Sequence, residues 1–212
     1  MYDWANSAYA TIVLAGFFPI IYAEYFAVTI DSSERTLYLG ISNSIASLLL
    51  ILLAPLFGLL ADRFNKKKLF LSIFALISIV STLLLSFVST NSYIIASILF
   101  SISLLGFMMS NVFYDSMLID FKSNQFNKIS SFGYAFGYLG GGIAFVLALF
   151  FLYYAGQSKI ELIASKKVVF IFTSIWWSLF MLPLIVFWKD DVKRNTLNFS
   201  VLESFKELFS NK

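Results

Sequence analysis

A chain of 212 residues that is 59% hydrophobic and 13% charged, with mean hydropathy +0.84, is too apolar for a water-soluble domain, which carries about twice that share of charge. It has no cysteine and no histidine, which excludes thiolate and imidazole metal ligands and nucleophilic catalysis by Cys or by a Ser–His pair. The formal charge of +3 sits in short basic clusters between apolar runs, a pattern that argues against a nucleic-acid partner.

Six apolar runs follow one another along the chain: Ser7–Ile30, Tyr38–Leu60, Leu69–Ser89, Tyr93–Tyr114, Ser131–Tyr154 and Val168–Trp188. Each holds 21 to 24 residues. At about 1.5 Å per residue this is enough to cross a ~30 Å hydrocarbon core as a helix. None alternates with period two, so a β-barrel is not expected. The predicted fold is therefore an all-α membrane protein, a six-transmembrane-helix bundle over residues 1–188. The first residues include Asp3 and no basic stretch, so no cleavable signal peptide is predicted. Pro19, Pro55 and Pro183 fall inside spans, where each removes a backbone donor and bends its helix.

The basic residues orient the bundle. With the N-terminus in the cytoplasm, inner connections hold Arg63, Lys66, Lys67, Lys68, Lys122, Lys128, Lys189, Lys193, Arg194, Lys206 and Lys212, which are 11 of the 15. Arg35, Lys159, Lys166 and Lys167 fall outside, the last three as a local misfit. Both termini are thus expected inside. Tyrosines and Trp188 near the span ends fit an aromatic belt. In the tail, residues 189–212, Phe199, Leu202, Phe205, Leu208 and Phe209 recur every three or four positions among Lys and Glu. This predicts a cytoplasmic amphipathic linker helix.

Three segments carry more than hydropathy. The first runs Gly58-Leu59-Leu60-Ala61-Asp62-Arg63-Phe64-Asn65-Lys66-Lys67 at the inner end of the second span. Glycine admits a close helix neighbour, Asp62 suits a helix N-terminus, and the cations hold the turn at the headgroups. This segment resembles the signature loop between helices 2 and 3 of the major facilitator superfamily. Asn65 stands where that family usually has Gly, and Asn also tolerates left-handed backbone. Lys66 stands where Arg is usual, so bidentate pairing is lost. The second segment is Gly133 to Gly142 in the fifth span. There Gly133, Gly137 and Gly141 form a stripe at i, i+4, i+8, with Gly142 beside it, suited to backbone-close packing. It resembles the helix-5 glycine motif of facilitator antiporters, with Tyr138 in place of the usual Pro. Generic tight packing explains the stripe equally well.

The third segment opens the chain, Tyr2-Asp3-Trp4-Ala5-Asn6-Ser7-Ala8-Tyr9-Ala10. With Phe17-Phe18-Pro19, residues 55–63, residues 133–142 and Trp176-Trp177-Ser178-Leu179-Phe180-Met181-Leu182-Pro183, it resembles the unknown-major-facilitator branch related to fungal vacuolar amino-acid effluxers of autophagy. The resemblance implies the N-terminal half of a fold with about twelve spans. It implies a secondary-active transporter of a small solute, amino acids among the candidates, working by alternating access. It implies as partners the lipid bilayer, the solute, and a C-terminal half or second copy. A bacterial inner membrane is the expected location. No enzymatic activity, cofactor or metal is assigned, although a carboxylate-only metal site remains open. The competing reading is a non-transporting membrane assembly protein or a truncated, inactive product.

Polar residues inside spans are functional candidates by default. Asp3, Asn6 and Ser7 share one helix face at i, i+3, i+4, and Asn111, Tyr114 and Asp115 share another. Asn43, Ser44 and Ser47 form a patch on the second span. In the facilitator fold helices 1 and 4 line the central cavity, so the resemblance implies that these faces meet solute. It also implies a conformational latch of Asp62, Arg63, Lys66 and Asp115, with Gly58, Lys67 and Asp120 nearby. Glu24 lies about 13 Å from the middle of its span, where snorkelling competes with function.

Overall fold

The computed structural model describes residues 1–118, 123–157 and 162–188, with side chains for 1–118, 128–155 and 167–188. Six helices long and apolar enough to cross a membrane succeed one another: α1 (Tyr2–Phe26), α2 (Ser32–Phe64), α3 (Lys67–Leu85), α4 (Tyr93–Leu118), α5 (Ser123–Gln157) and α6 (Leu162–Phe187). No strand occurs among the described residues. The tail 189–212 and Asp120 lie outside them.

Most helix ends overrun the apolar runs, but α1 stops at Phe26 and α3 at Leu85, short of the expected Ile30 and Ser89. α1 begins at Tyr2 instead of Ser7, because its polar first turns find partners on another helix. α2 extends to Ser32, where the Asp31 carboxylate accepts the Glu34 N–H at 2.8 Å and caps the first turn. The other end of α2 stops at Asn65, which adopts φ 52°, ψ 46°. The Lys66 N–H then reaches the Ala61 carbonyl at 2.9 Å and the Asn65 N–H the Asp62 carbonyl at 3.2 Å. This is a Schellman closure with asparagine at the left-handed position that glycine usually takes. The connection to α3 is two residues long. The end of the bundle that carries it is called the basic end below.

α1 runs through the middle of the bundle. Tyr2, Tyr9, Phe18, Tyr22 and Phe26 on it are all buried. α4 stacks Phe100 on Phe18 with ring centroids 3.9 Å apart, and α6 sets Trp177 against Tyr9 at 5.6 Å. α3 and α4 form the tightest pair. A Cβ at Gly106 would sit 2.7 Å from the Phe74 carbonyl oxygen, so only glycine permits the approach. Buried hydroxyls finish this contact: Ser78 donates to the Ser103 carbonyl at 2.7 Å, and Ser103 lies 2.8 Å from Thr82 and donates to Tyr9 at 3.0 Å. α6 joins α3 through the Ser174 hydroxyl on the Ile79 carbonyl at 3.1 Å. α2 leans on α4, with Ser101 on the Ser42 carbonyl at 3.3 Å, and remains the least enclosed helix. Only 11% of its apolar stretch is buried and 28% of that of α5, against 44% in α1 and α3.

α1 is not uniformly α-helical. Tyr9–Phe17 and Tyr22–Phe26 are wound as π-helix, separated by an α-helical turn that contains Pro19. Lacking an N–H, proline breaks the hydrogen-bond register of the turn before it. π segments inside α-helices collect at functional sites.

Candidate functional site

The polar faces of α1 and α4 meet each other. Tyr114 donates its hydroxyl to an Asp3 carboxylate oxygen at 2.6 Å, and the Asn6 amide donates to the Asn111 oxygen at 2.5 Å. Two side chains at i, i+3 on one helix thus engage two at i, i−3 on the antiparallel neighbour. Tyr2 packs its ring 4.8 Å from that of Tyr114, while its own buried hydroxyl has no hydrogen-bond partner among the described residues. The result is a polar seam near the basic end. Asn6 is buried, Asp3, Asn111 and Tyr114 are half-buried, and Asp115 is exposed beside them.

α5 closes the seam from the other side. A Cβ on Gly133 would meet the Asp3 carboxylate at 2.5 Å, one on Gly137 the Ser7 hydroxyl at 3.0 Å, and one on Gly141 the Ser7 carbonyl at 3.0 Å. The i, i+4, i+8 stripe of α5 therefore lies on Asp3, Ser7 and Thr11, which have the same spacing on α1. Thr11 bonds the Gly141 carbonyl at 3.1 Å across the contact. Gly140, which the stripe omits, is also tight, with Trp4 side-chain atoms 2.7 Å from its missing Cβ and the Trp4 Cα at 2.8 Å.

Several placements differ from the sequence reading. Gly142 and Gly58 have open space where a Cβ would be, so neither supports a helix contact within the described residues. Gly142 points away because one residue past Gly141 turns about 100° around the helix. Asn43 is exposed and, among the described residues, bonds its own helix, at the Leu39 carbonyl, 3.0 Å. The polar residue that α2 turns inward is Ser42.

The charged cluster is also rearranged. The ion pair that forms joins Asp62 to Lys67, at 3.7 Å, and not to Lys66. With Asp62 66% exposed, this pair contributes at most about 1 kcal/mol. Lys67 is held more firmly by the Ser116 carbonyl at the end of α4, 3.0 Å away. Lys68 donates to the Ile185 and Trp188 carbonyls at the end of α6, at 3.2 and 2.8 Å. Two successive lysines on the first turn of α3 therefore cap the C-termini of two other helices, where cations are favoured. Arg63 and Lys66 are exposed and form no ion pair among the described residues, nor does Asp115; Arg63 lies 5.9 Å over the Phe64 ring. The left-handed turn at Asn65 explains the exchange, because it swings Lys67 inward and leaves Lys66 outside.

The same device recurs at the far end. Arg35, on the first turn of α2, donates to the Ala27 and Val28 carbonyls just after α1, at 2.9 and 3.1 Å. Lys167 donates to the Val88 carbonyl at 2.7 Å and lies 4.7 Å over the Tyr25 ring. Sequence reasoning missed these caps, the hydroxyl cluster around Ser103, and Gly106. The available signal was the recurrence of Ser and Thr inside apolar runs, which is costly in lipid unless they pair across helices.

Comparison with known proteins bears on this arrangement. The family profile described as vacuole effluxer Atg22 like matches residues 22–210. A Bacillus subtilis (strain 168) protein described as an uncharacterized MFS-type transporter, YxiO, is 33% identical over 189 residues, covering 87% of this chain and 44% of its own length. An uncharacterized Aquifex aeolicus (strain VF5) protein is 28% identical over 146 residues, covering 69% of this chain and 36% of its own. The chain thus spans less than half the length of these curated relatives. No solved structure matches it.

Proposed function

The chain belongs to the Atg22-like vacuole effluxer family, a branch of the major facilitator superfamily, and on that premise we propose that it supplies six spans of a secondary-active transporter for a small solute. The transporter works by alternating access, with its pathway between these spans and a second six-helix unit, either a C-terminal half or another copy. The open faces of α1, α2, α4 and α5 form one wall. Asp3, Asn111, Tyr114 and Asp115 line it at the basic end, with Asn6 and Ser7 behind them in the contacts of α1 with α4 and α5, and Asn43 lines it on α2. Lys67, with Asp62, is the movable joint between α2, α3 and α4, and Arg63 and Lys66 face the headgroups. The basic end is cytoplasmic, in a bacterial inner membrane.

The observation that carries this reading is the exposure of polar groups on α2. Asn43 and Ser44 stand exposed on a membrane helix of which only 11% of the apolar stretch is buried. Polar side chains left facing lipid are costly, which favours a second unit or a water-filled pathway over that face. Amino acids are the first solutes to test, since the resemblance is to amino-acid effluxers. Proteoliposomes holding this chain alone should show no saturable amino-acid uptake, and adding the complementary six-span unit should restore it. Saturable flux from a proven monomer would overturn the proposal. Absence of flux from the complemented protein, across the amino acids, would favour the non-transporting reading.

A further inference from the structure

Resting on the transport reading, we infer that the unpaired main-chain carbonyl of Leu14, midway along α1, accepts a hydrogen bond from an N–H or O–H donor on the transported solute. Tyr9–Phe17 is π-helical: it is entered at Tyr9, whose N–H reaches back only three residues to Asn6, and at its end the Phe18 N–H reaches back five, bonding the Val13 carbonyl. In an α register the Leu14 carbonyl would receive that same Phe18 N–H, which is already committed. In a π register it would receive the N–H of residue 19, which is proline and has none. By Tyr22, whose N–H reaches Phe18 and Pro19, the shorter register is back. The hydroxyl nearest to Leu14 in sequence, that of Thr11, donates elsewhere, to the Ser7, Ala8 and Gly141 carbonyls. The Leu14 carbonyl is an acceptor left over by the change of register at proline.

Location gives that leftover acceptor a use. Leu14 is the central residue of Tyr2–Phe26, so it sits at the depth where solute sites lie between repeats. α1 is covered by α4 at Phe18, by α5 where Phe145 meets Gly16 and Phe17, and by α6 at Tyr9. The strip that stays open runs through Leu14, Ala15 and Pro19. In hydrocarbon an unpaired carbonyl is costly, so it persists only where water or a ligand reaches it. Between Trp4 and Ala23 the helix has no charged side chain, which leaves the backbone as the acceptor on this strip at mid-depth. The chemistry selects solutes with a hydrogen-bond donor, such as an ammonium, a hydroxyl or an amide N–H. It disfavours fully N-alkylated analogues.

The experiment has two arms. First, the Leu14 carbonyl is labelled with ¹³C and ¹⁸O, and its amide I band is read in lipid without solute. It should absorb apart from helix carbonyls bonded within the backbone, and Pro19→Ala, which adds an N–H, should bring it back among them. A wild-type band already among them overturns the inference while leaving the transport reading intact. Second, flux is measured in the intact transporter for each common amino acid and for the N-trimethyl form of any that moves. Pro19→Ala should slow the amino acid about tenfold, the scale of one neutral hydrogen bond. Replacing residue 19 by the α-hydroxy analogue of alanine removes the ring without adding an N–H, and flux should stay near wild type. The N-trimethyl form should be a poor substrate of wild type. If the alanine and hydroxy-acid variants behave alike, the carbonyl is not the acceptor. If wild type moves nothing, the transport reading fails and the inference falls with it.

Discussion

Gly140 and Gly142 stand two residues apart on α5 and meet opposite surroundings. An added Cβ at Gly140 would collide with Trp4, including its main-chain Cα at 2.8 Å, whereas at Gly142 it would meet nothing within 4 Å. Gly140→Ala should therefore destabilise the bundle by about 1–3 kcal/mol, the usual cost of overpacking. Gly142→Ala should stabilise it by about 0.5–1 kcal/mol, through helix propensity alone. Thermal unfolding of both variants in detergent checks the pair; equal shifts would contradict the packing of α1 on α5. The seam between α1 and α4 makes a second prediction at this scale. Tyr114→Phe removes the donor that Asp3 uses, and a bond to a carboxylate contributes about 1.5–3 kcal/mol. In a double-mutant cycle with Asp3→Asn the two changes should couple by at least about 0.5 kcal/mol. Strict additivity would mean that the phenol and carboxylate do not share a bond in the membrane.

At the scale of elements, the start of α2 depends on a single cap. The Glu34 N–H and the Ser33 hydroxyl both donate to Asp31 at 2.8 Å, and these bonds, the backbone one foremost, hold its carboxyl below the usual carboxylate range. A depressed carboxyl contributes stability above its unfolded pKa and loses it as pH falls through the folded one. A spin label at Leu37 should therefore gain mobility only on acidification below about pH 4. In Asp31→Ala the same label should be mobile at every pH, and pH-independent immobility in that variant would dismiss the cap. How much of the elements was legible follows from the same balance of local and tertiary terms. Six apolar runs announced six helices, and Asn65 announced a left-handed stop. The shared helix face of Asp3, Asn6 and Ser7 was legible from their spacing, but the start of the span was set at Ser7, because hydropathy does not count polar residues whose partners, Tyr114 and Asn111, lie on another helix. The π winding was illegible, since it reflects how Pro19 and the contacts of α1 with α4, α5 and α6 are satisfied together. The choice of Lys67 over Lys66 was equally hidden, because a left-handed residue redirects the side chains after it.

At the scale of the whole molecule, the exposed faces are not equivalent. α3 and α6 present aliphatic side chains outward, among them Ile73, Leu76, Val80, Ile175, Leu179 and Leu182, which suit lipid. α2 exposes Asn43, Ser44 and Thr36 beside Gly40, and α5 exposes Tyr134 and Tyr138 among its apolar residues. Phenol and amide groups within the spans are better placed against protein or water than against acyl chains. The polar sides of α2 and α5 are thus where a second six-helix unit should seat, with α3 and α6 left to the bilayer. The natural absence of cysteine makes the test clean. Spin labels on single cysteines at Ser44 and Tyr138 should lose collisions with oxygen dissolved in the bilayer when the complementary unit is present. Labels at Leu76 and Leu179, which are similarly exposed at 56% and 57%, should keep them. Protection of the α3 and α6 sites instead would move the interface to the opposite side of the bundle. No change at any of the four would mean that the six helices stand alone in lipid, with the polar groups of α2 turned toward acyl chains.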